Sequence, residues 1–320
     1  MSERFQILSL DGGGIKGLFT AAVLAALEDD LNIDITDHFD LIVGTSTGGI
    51  IALGLGLGLR PSELVDFYAS KGKKIFSSSL GWRSLLHWGF RKFPQSKLES
   101  ALREVLGDAK LSDSKKRLVV PSYNLGDDDV YLFKTPHHPR LKRDFKVPAW
   151  QVALATSAAP TYFPVSCYVD HIRHIDGGIW ANNPTMVGII EAKDLLGIEL
   201  DAMSVLNIGT SDPLTQRPKR LNWIGKLGWA SSASQLILRA QSLGVYTQSI
   251  HLIGEGNVTR LDPKVPDGLF DLDGVKRAKE LMAKAAHESR IFAPIFENKF
   301  MPHKAEPYTP CHGGRIETGE

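Results

Sequence analysis

The apolar positions of this chain alternate between strand-like and helix-like periods from its first residues onward. Residues 5–10 form a short apolar run that stops at Asp11-Gly12-Gly13-Gly14, and from Ile15 the side chains Ile15, Leu18, Phe19, Ala22, Val23, Ala26 and Leu27 recur at helical spacing. The pattern repeats with an apolar run over residues 39–43, the turn Gly44-Thr45-Ser46-Thr47-Gly48, and a helix expected from Gly49. Two parallel strands joined by a crossover helix follow from this order. Pro61 opens another helical stretch with Leu64, Val65 and Tyr68 on one face, and Ser96 is expected to cap a helix carrying Leu98, Leu102 and Val105. Strands are expected over residues 118–123, 130–134, 165–169 and 203–208, and helices over 148–156 and 184–196. The alternation predicts an α/β fold on a mostly parallel sheet.

After Thr210 the pattern changes. Residues 216–219 are polar and rich in chain breakers, helical spacing returns over residues 233–249 and 275–287, and residues 258–261 read as one more strand. Residues 1–210 are therefore expected to form the main α/β domain, residues 211–300 a C-terminal helical extension packed on it, and residues 301–320 a flexible tail. Composition narrows the function classes: 37 basic and 36 acidic residues nearly cancel, so no global field favours a DNA or RNA polymer. Two cysteines, Cys167 and Cys311, make no disulfide framework, and the first residues lack a secretory pattern, so the expected compartment is the cytoplasm. The longest apolar stretch, residues 50–59, is broken by Gly54, Gly56 and Gly58 and is about half of the roughly 20 residues a spanning helix needs. Lipid would be met from the surface.

The two glycine-rich turns carry the chemistry. Gly44-Thr45-Ser46-Thr47-Gly48 has the G-x-S-x-G form, a sharp strand-to-helix bend that lifts a serine hydroxyl above a sheet. Asp11-Gly12-Gly13-Gly14-Ile15-Lys16-Gly17 exposes backbone N–H groups at a helix start, where orphan donors favour negative charge such as an oxyanion. Gly12, Gly14 and Gly17 also satisfy the dinucleotide fingerprint G-x-G-x-x-G. That fold requires an acid about twenty residues on, at the end of the second strand. Here Glu28, Asp29 and Asp30 end a helix, and the second strand leads into Ser46.

A serine nucleophile needs a base. His87, His137, His138, His171, His174 and His251 lie in loop-like contexts, and none has a positional signature. Asp176, in His174-Ile175-Asp176-Gly177-Gly178, follows a short apolar stretch and precedes two glycines that let the chain bend close to a neighbour; an ordinary Asx turn is its bland alternative. The chain offers no H-E-x-x-H and no paired C-x-x-C, so no metal and no cofactor are expected.

The three motifs, in this order, resemble those of the patatin-like phospholipases. The resemblance covers about residues 5–210, including Ala158-Ala159-Pro160-Thr161-Tyr162-Phe163-Pro164 on the way to Asp176. It implies a three-layer α/β/α fold with a nucleophile elbow and a Ser46–Asp176 dyad without histidine. It further implies an oxyanion hole from the amides of Gly12, Gly13 and Gly14, supported by Asp11, Gly17, Gly44, Gly48, Gly177 and Gly178. Where the family commonly has arginine this chain has Lys16, a point charge in place of a bidentate fork. The implied activity is hydrolysis of phospholipid acyl esters at a membrane surface, with peripheral association at the inner membrane.

Two stretches bear on substrate and control. Trp82, Trp88, Phe90 and Phe93, interleaved with Arg83, Arg91 and Lys92, suit either a bilayer boundary or a packed cap over the core. Arg260-Leu261-Asp262-Pro263, with the acidic-apolar residues 269–273, resembles bacterial members of the family. That implies a cyclic-dinucleotide activator, a role as antiviral effector, and room for a homo-oligomer. Two alternatives stay open on sequence: a constitutive carboxylesterase on soluble esters, and a nucleotide-binding module using the first glycine loop.

Overall fold

The computed structural model describes residues 4–75, 93–210, 213–214, 223, 226–266 and 278–313. In chain order these form β1 (Phe5–Leu10), α1 (Gly17–Leu31), β2 (Leu41–Gly44), α2 (Thr47–Gly56), α3 (Pro61–Ile75) and α4 (Gln95–Leu106). There follow β3 (Arg117–Asn124), β4 (Asp129–Lys134), α5 (Ala149–Thr156), β5 (His174–Asp176), α6 (Gly178–Ala181) and α7 (Thr185–Asp194). The last are β6 (Met203–Ile208), β7 (Pro213–Leu214), α8 (Lys226–Ile253), β8 (Val258–Leu261), β9 (Val265–Pro266) and α9 (Ala278–Lys299).

One sheet organises the molecule, in the order β4-β3-β2-β1-β6-β8 with β5 attached to β3, while β7 and β9 pair separately. β1, β2, β3, β6 and β8 run parallel, and β4 and β5 run antiparallel to β3. The strands are apolar on both faces because both are covered. Leu8, Leu10, Ile42, Leu206 and Ile208 face a core shared with α1 to α5 and α9. Phe5, Ile7, Leu41, Val43, Met203 and Val205 face a second core under α7 and α8. The result is three layers, helix on sheet on helix.

The register along β3 positions the site. β2 pairs with β3 over Arg117 to Val119 only, and β4 takes the other edge from Val119 to Asn124. β5 pairs with Ser122 to Asn124 on the edge that β2 has vacated, so β2 and β5 run toward each other along one neighbour. Asp176 ends β5 just beyond the end of β2.

Several expectations are corrected. Residues 165–169 make only one antiparallel bridge, Ser166 to His174, because a turn begins at Tyr168 and both Val165 and Tyr168 are exposed. Ser96 does not cap α4, which starts at Gln95 after Pro94 with no side-chain cap. The final helix runs to Lys299, well past residue 287 and through Pro294, because Phe292, Phe296 and Phe300 continue an aromatic stripe onto Phe39. The segment after Thr210 shares the main sheet through β8 and packs α9 on α1. The tail expected to be flexible is docked as far as Gly313: His303 meets Asp40 at 2.7 Å, and the Ala305 and Cys311 amides donate to the Asp37 and Pro136 carbonyls. Phe93 is buried against Phe163, whereas Trp82, Trp88, Phe90 and residues 269–273 lie outside the described residues.

Candidate active site

Ser46 stands at the bend between β2 and α2 with φ 54° and ψ −120°. A non-glycine residue in such a region stores about 1–3 kcal/mol, so its surroundings must over-determine it. They do: a side chain on Gly44 would overlap the Gly48 carbonyl, and one on Gly48 would overlap the Leu10 carbonyl, so the turn closes only around glycine. The Ser46 N–H donates to Thr156 Oγ1 at 2.9 Å, and that hydroxyl donates in turn to the Pro121 carbonyl at 2.6 Å. Thr45 fixes the other side through its hydroxyl, which donates to the Ala181 carbonyl at 2.6 Å.

β5 delivers the carboxylate. Ser46 Oγ donates to Asp176 Oδ2 at 2.7 Å, and the Gly178 N–H donates to Asp176 Oδ1 at 2.7 Å. Both side chains are largely shielded from water. Burial pushes the Asp176 carboxyl up to about 6, against the opposing pull of the hydrogen bonds from Ser46 and Gly178. Such a group is mostly ionised at neutral pH yet more basic than an ordinary carboxylate near ~3.9. Gly177 lets the chain turn against the Pro121 carbonyl.

Among the described residues no histidine bonds to either member of the pair. His137 is engaged by Glu191 at 2.8 Å, His138 accepts from the Arg140 N–H, and His171 and His251 are exposed. His174 is walled in by Tyr131 and Phe133, and burial, with Arg143 acting in the same direction, pushes it down to about 4. His87 lies outside the described residues.

The first glycine turn lies against the serine: a side chain on Gly12 would come within 3.4 Å of Ser46 Cβ and 2.6 Å of Asn182 Oδ1. The three-amide expectation needs correction, because the Gly12 N–H donates to the Asn182 carbonyl at 2.9 Å and is already used. The amides of Gly13 and Gly14 make no hydrogen bond among the described residues. Gly14, at φ 60°, turns the chain into the short 3-10 turn Gly14–Lys16, in which Lys16 is buried. Gly17 packs directly on Thr47 of the serine helix.

Asp11, one residue earlier, is anchored from the far end of the chain. Asn207 Nδ2 donates to Asp11 Oδ1 at 2.7 Å, and Arg260 Nη1 lies 2.9 Å from Asp11 Oδ2. Arg260 also meets Asp262 at 2.7 Å and the side-chain oxygen of Asn207. Burial pushes Asp11 up to about 6 although Arg260 pulls it down. Burial works against the Arg260 charge, but Asp11 and Asp262 hold it more firmly protonated than usual. Thr156, Asn182 and this use of Arg260 were not legible in local patterns; Arg260 stood out only within a resemblance.

A serine elbow at the carboxyl end of an inner strand of a mostly parallel sheet defines the class, the α/β serine hydrolases. Within it the chain belongs to the patatin-like phospholipases, whose family model matches residues 8–189, and it is accordingly a lipid acyl hydrolase. A cGAMP-activated phospholipase from Pseudomonas aeruginosa is 34% identical, over 97% of this chain and 95% of that protein. Another from Vibrio cholerae is 33% identical over 83% of each. The solved structure of VipD from Legionella pneumophila aligns at 14% identity with a TM-score of 0.43, covering 88% of this chain and 67% of that one.

Proposed function

We propose that Ser46 is the nucleophile for phospholipid acyl esters, Asp176 its base, and the Gly13 and Gly14 amides the oxyanion donors. The Ser46–Asp176 hydrogen bond of 2.7 Å, to a carboxylate whose basicity burial raises, is the observation that carries this reading. As Ser46 Oγ bonds to the acyl carbon, Asp176 takes its proton. The tetrahedral oxyanion is met by these two backbone amides. Collapse breaks the bond to the glycerol oxygen, which leaves with the proton from Asp176. Water then attacks the acyl-serine, gives its proton to Asp176, and releases the fatty acid as the serine is reprotonated. Ile179 on α6, immediately after Gly178, is exposed and offers apolar surface beside the dyad for an acyl chain.

Activation by a cyclic dinucleotide is part of the proposal, on the strength of the two cGAMP-activated relatives. So is action from the cytoplasm on the inner membrane; among the described residues no helix is long and apolar enough to cross a bilayer. The test is mass spectrometry of fatty acids released from phosphatylethanolamine–phosphatidylglycerol vesicles, with and without a panel of cyclic dinucleotides. Release by the wild type that persists undiminished in Ser46→Ala would overturn the dyad.

A further inference from the structure

A groove of about 860 Å³ opens along β4, between the β3–β4 turn and residues 140–144. That volume suits a small-molecule ligand. Charged side chains of both signs line it: Arg140, Lys142 and Arg143 from residues 140–144, and Asp127 and Asp129 from the β3–β4 turn and the start of β4. Arg140 and Lys142 are exposed and make no ion pair among the described residues. Arg143 lies with its guanidinium 4.5 Å from the centre of the Tyr131 ring and meets Asp144 at 3.2 Å.

The groove is also close to the dyad's support. Tyr131, in its floor, packs edge-on against His174 with ring centroids 4.9 Å apart, and Ile172 lines the groove just before β5 begins. β5 has three residues, with His174 at one end and Asp176 at the other. His174 Nε2 is buried without a hydrogen-bond partner, a deficit that a shift of this strand could relieve.

We infer that this groove binds a cyclic dinucleotide and that its occupant acts on the dyad through β5. The inference rests on the proposed activation by such a ligand and adds where it binds. Arg140 and Lys142 supply charge-assisted hydrogen bonds to the two phosphodiester groups. Arg143, backed by Tyr131, gives a purine a planar cation to stack on. Asp127 and Asp129 accept the N1–H and exocyclic amine of a guanine, which a hydrocarbon or a simple polyphosphate would leave unused. An occupant spanning Tyr131 and Ile172 touches the elements on either side of His174, so the Ser46–Asp176 geometry responds to it.

The experiment uses the full chain, isothermal titration with cyclic GMP–AMP, and fatty-acid release from vesicles, for the wild type, Arg140→Ala/Lys142→Ala and Asp127→Asn/Asp129→Asn. The altered residues are exposed, so the fold is retained, and basal hydrolysis of a soluble ester checks this. The cation variant should need about tenfold more ligand or worse for half-maximal activation, as expected on losing two charged hydrogen bonds. The acid variant should lose discrimination between cyclic GMP–AMP and cyclic di-AMP. A wild type that responds while the cation variant responds at the same concentrations overturns the groove and leaves the activation standing. A wild type that neither binds nor responds to any cyclic dinucleotide overturns both.

Discussion

Asp176 and Asp11 are buried alike, and burial raises both carboxyls to about 6, but they face opposite surroundings. Asp11 is met by the Arg260 guanidinium and the Asn207 amide, so its charge is compensated and it ties the first glycine turn to β8. Asp176 is met by one hydroxyl and one backbone N–H, with no cation among the groups that act on it. The same desolvation therefore builds an anchor where an arginine answers it and, where none does, the carboxylate proposed as the base. Leaving Asp176 uncompensated costs stability, a common trade at functional sites.

The largest effects should come from the uncompensated side. Ser46→Ala and Asp176→Asn are each expected to lower ester hydrolysis about 10⁴-fold or more while circular dichroism stays native, and Ser46→Ala should also lose fluorophosphonate labelling. On the anchored side, Arg260→Met leaves Asp11 and Asp262 buried without their cation and should cost about 3–5 kcal/mol in chemical denaturation. An unchanged denaturation midpoint would erase the distinction between the two aspartates.

The pH profile sharpens it. With Asp176 as the proposed base, kcat/KM should fall on an acid limb centred at about pH 6, roughly tenfold per pH unit below it. A limb near pH 4 would mean an ordinary carboxylate. Thr156→Val strips the Ser46 N–H of its acceptor and should cost about 1–3 kcal/mol, read as a lowered melting temperature. The smallest effect is in stability at neutral pH. Because the Asp176 carboxyl is raised in the folded state, its ionised form weakens the fold at pH 7, and the penalty is relieved as pH falls from about 6 toward 4. Asp176→Asn should melt slightly above the wild type at pH 7, and the gap should close on acidification.

Much of the site was readable because it is written locally. The apolar run, glycine turn and helical stripe around Gly12 and around Ser46 each fit within one strand-turn-helix unit, and Asp176 was marked by its two glycines. What escaped depends on contacts between distant segments. Nothing near Gly12 announces that Asn182 will take its N–H, nor near Asp11 that Arg260 will arrive from β8. The failed strand at residues 165–169 shows the limit of apolar content, since those residues had no ladder to join beyond Ser166. The tail misled by composition: prolines and glycines do not preclude docking when His303 finds Asp40.

β3 acts as a ruler on which two separate strands are laid end to end. One positions the hydroxyl and the other the carboxylate, and their separation is fixed in whole residues by the pairings Val43 to Val119 and Asp176 to Ser122. A slip of β5 by one notch would carry the carboxylate about 3.3 Å and turn it to the opposite face of the sheet. Competence in this enzyme is thus stored as an integer, and a strand of three residues is a short lever with which to change it.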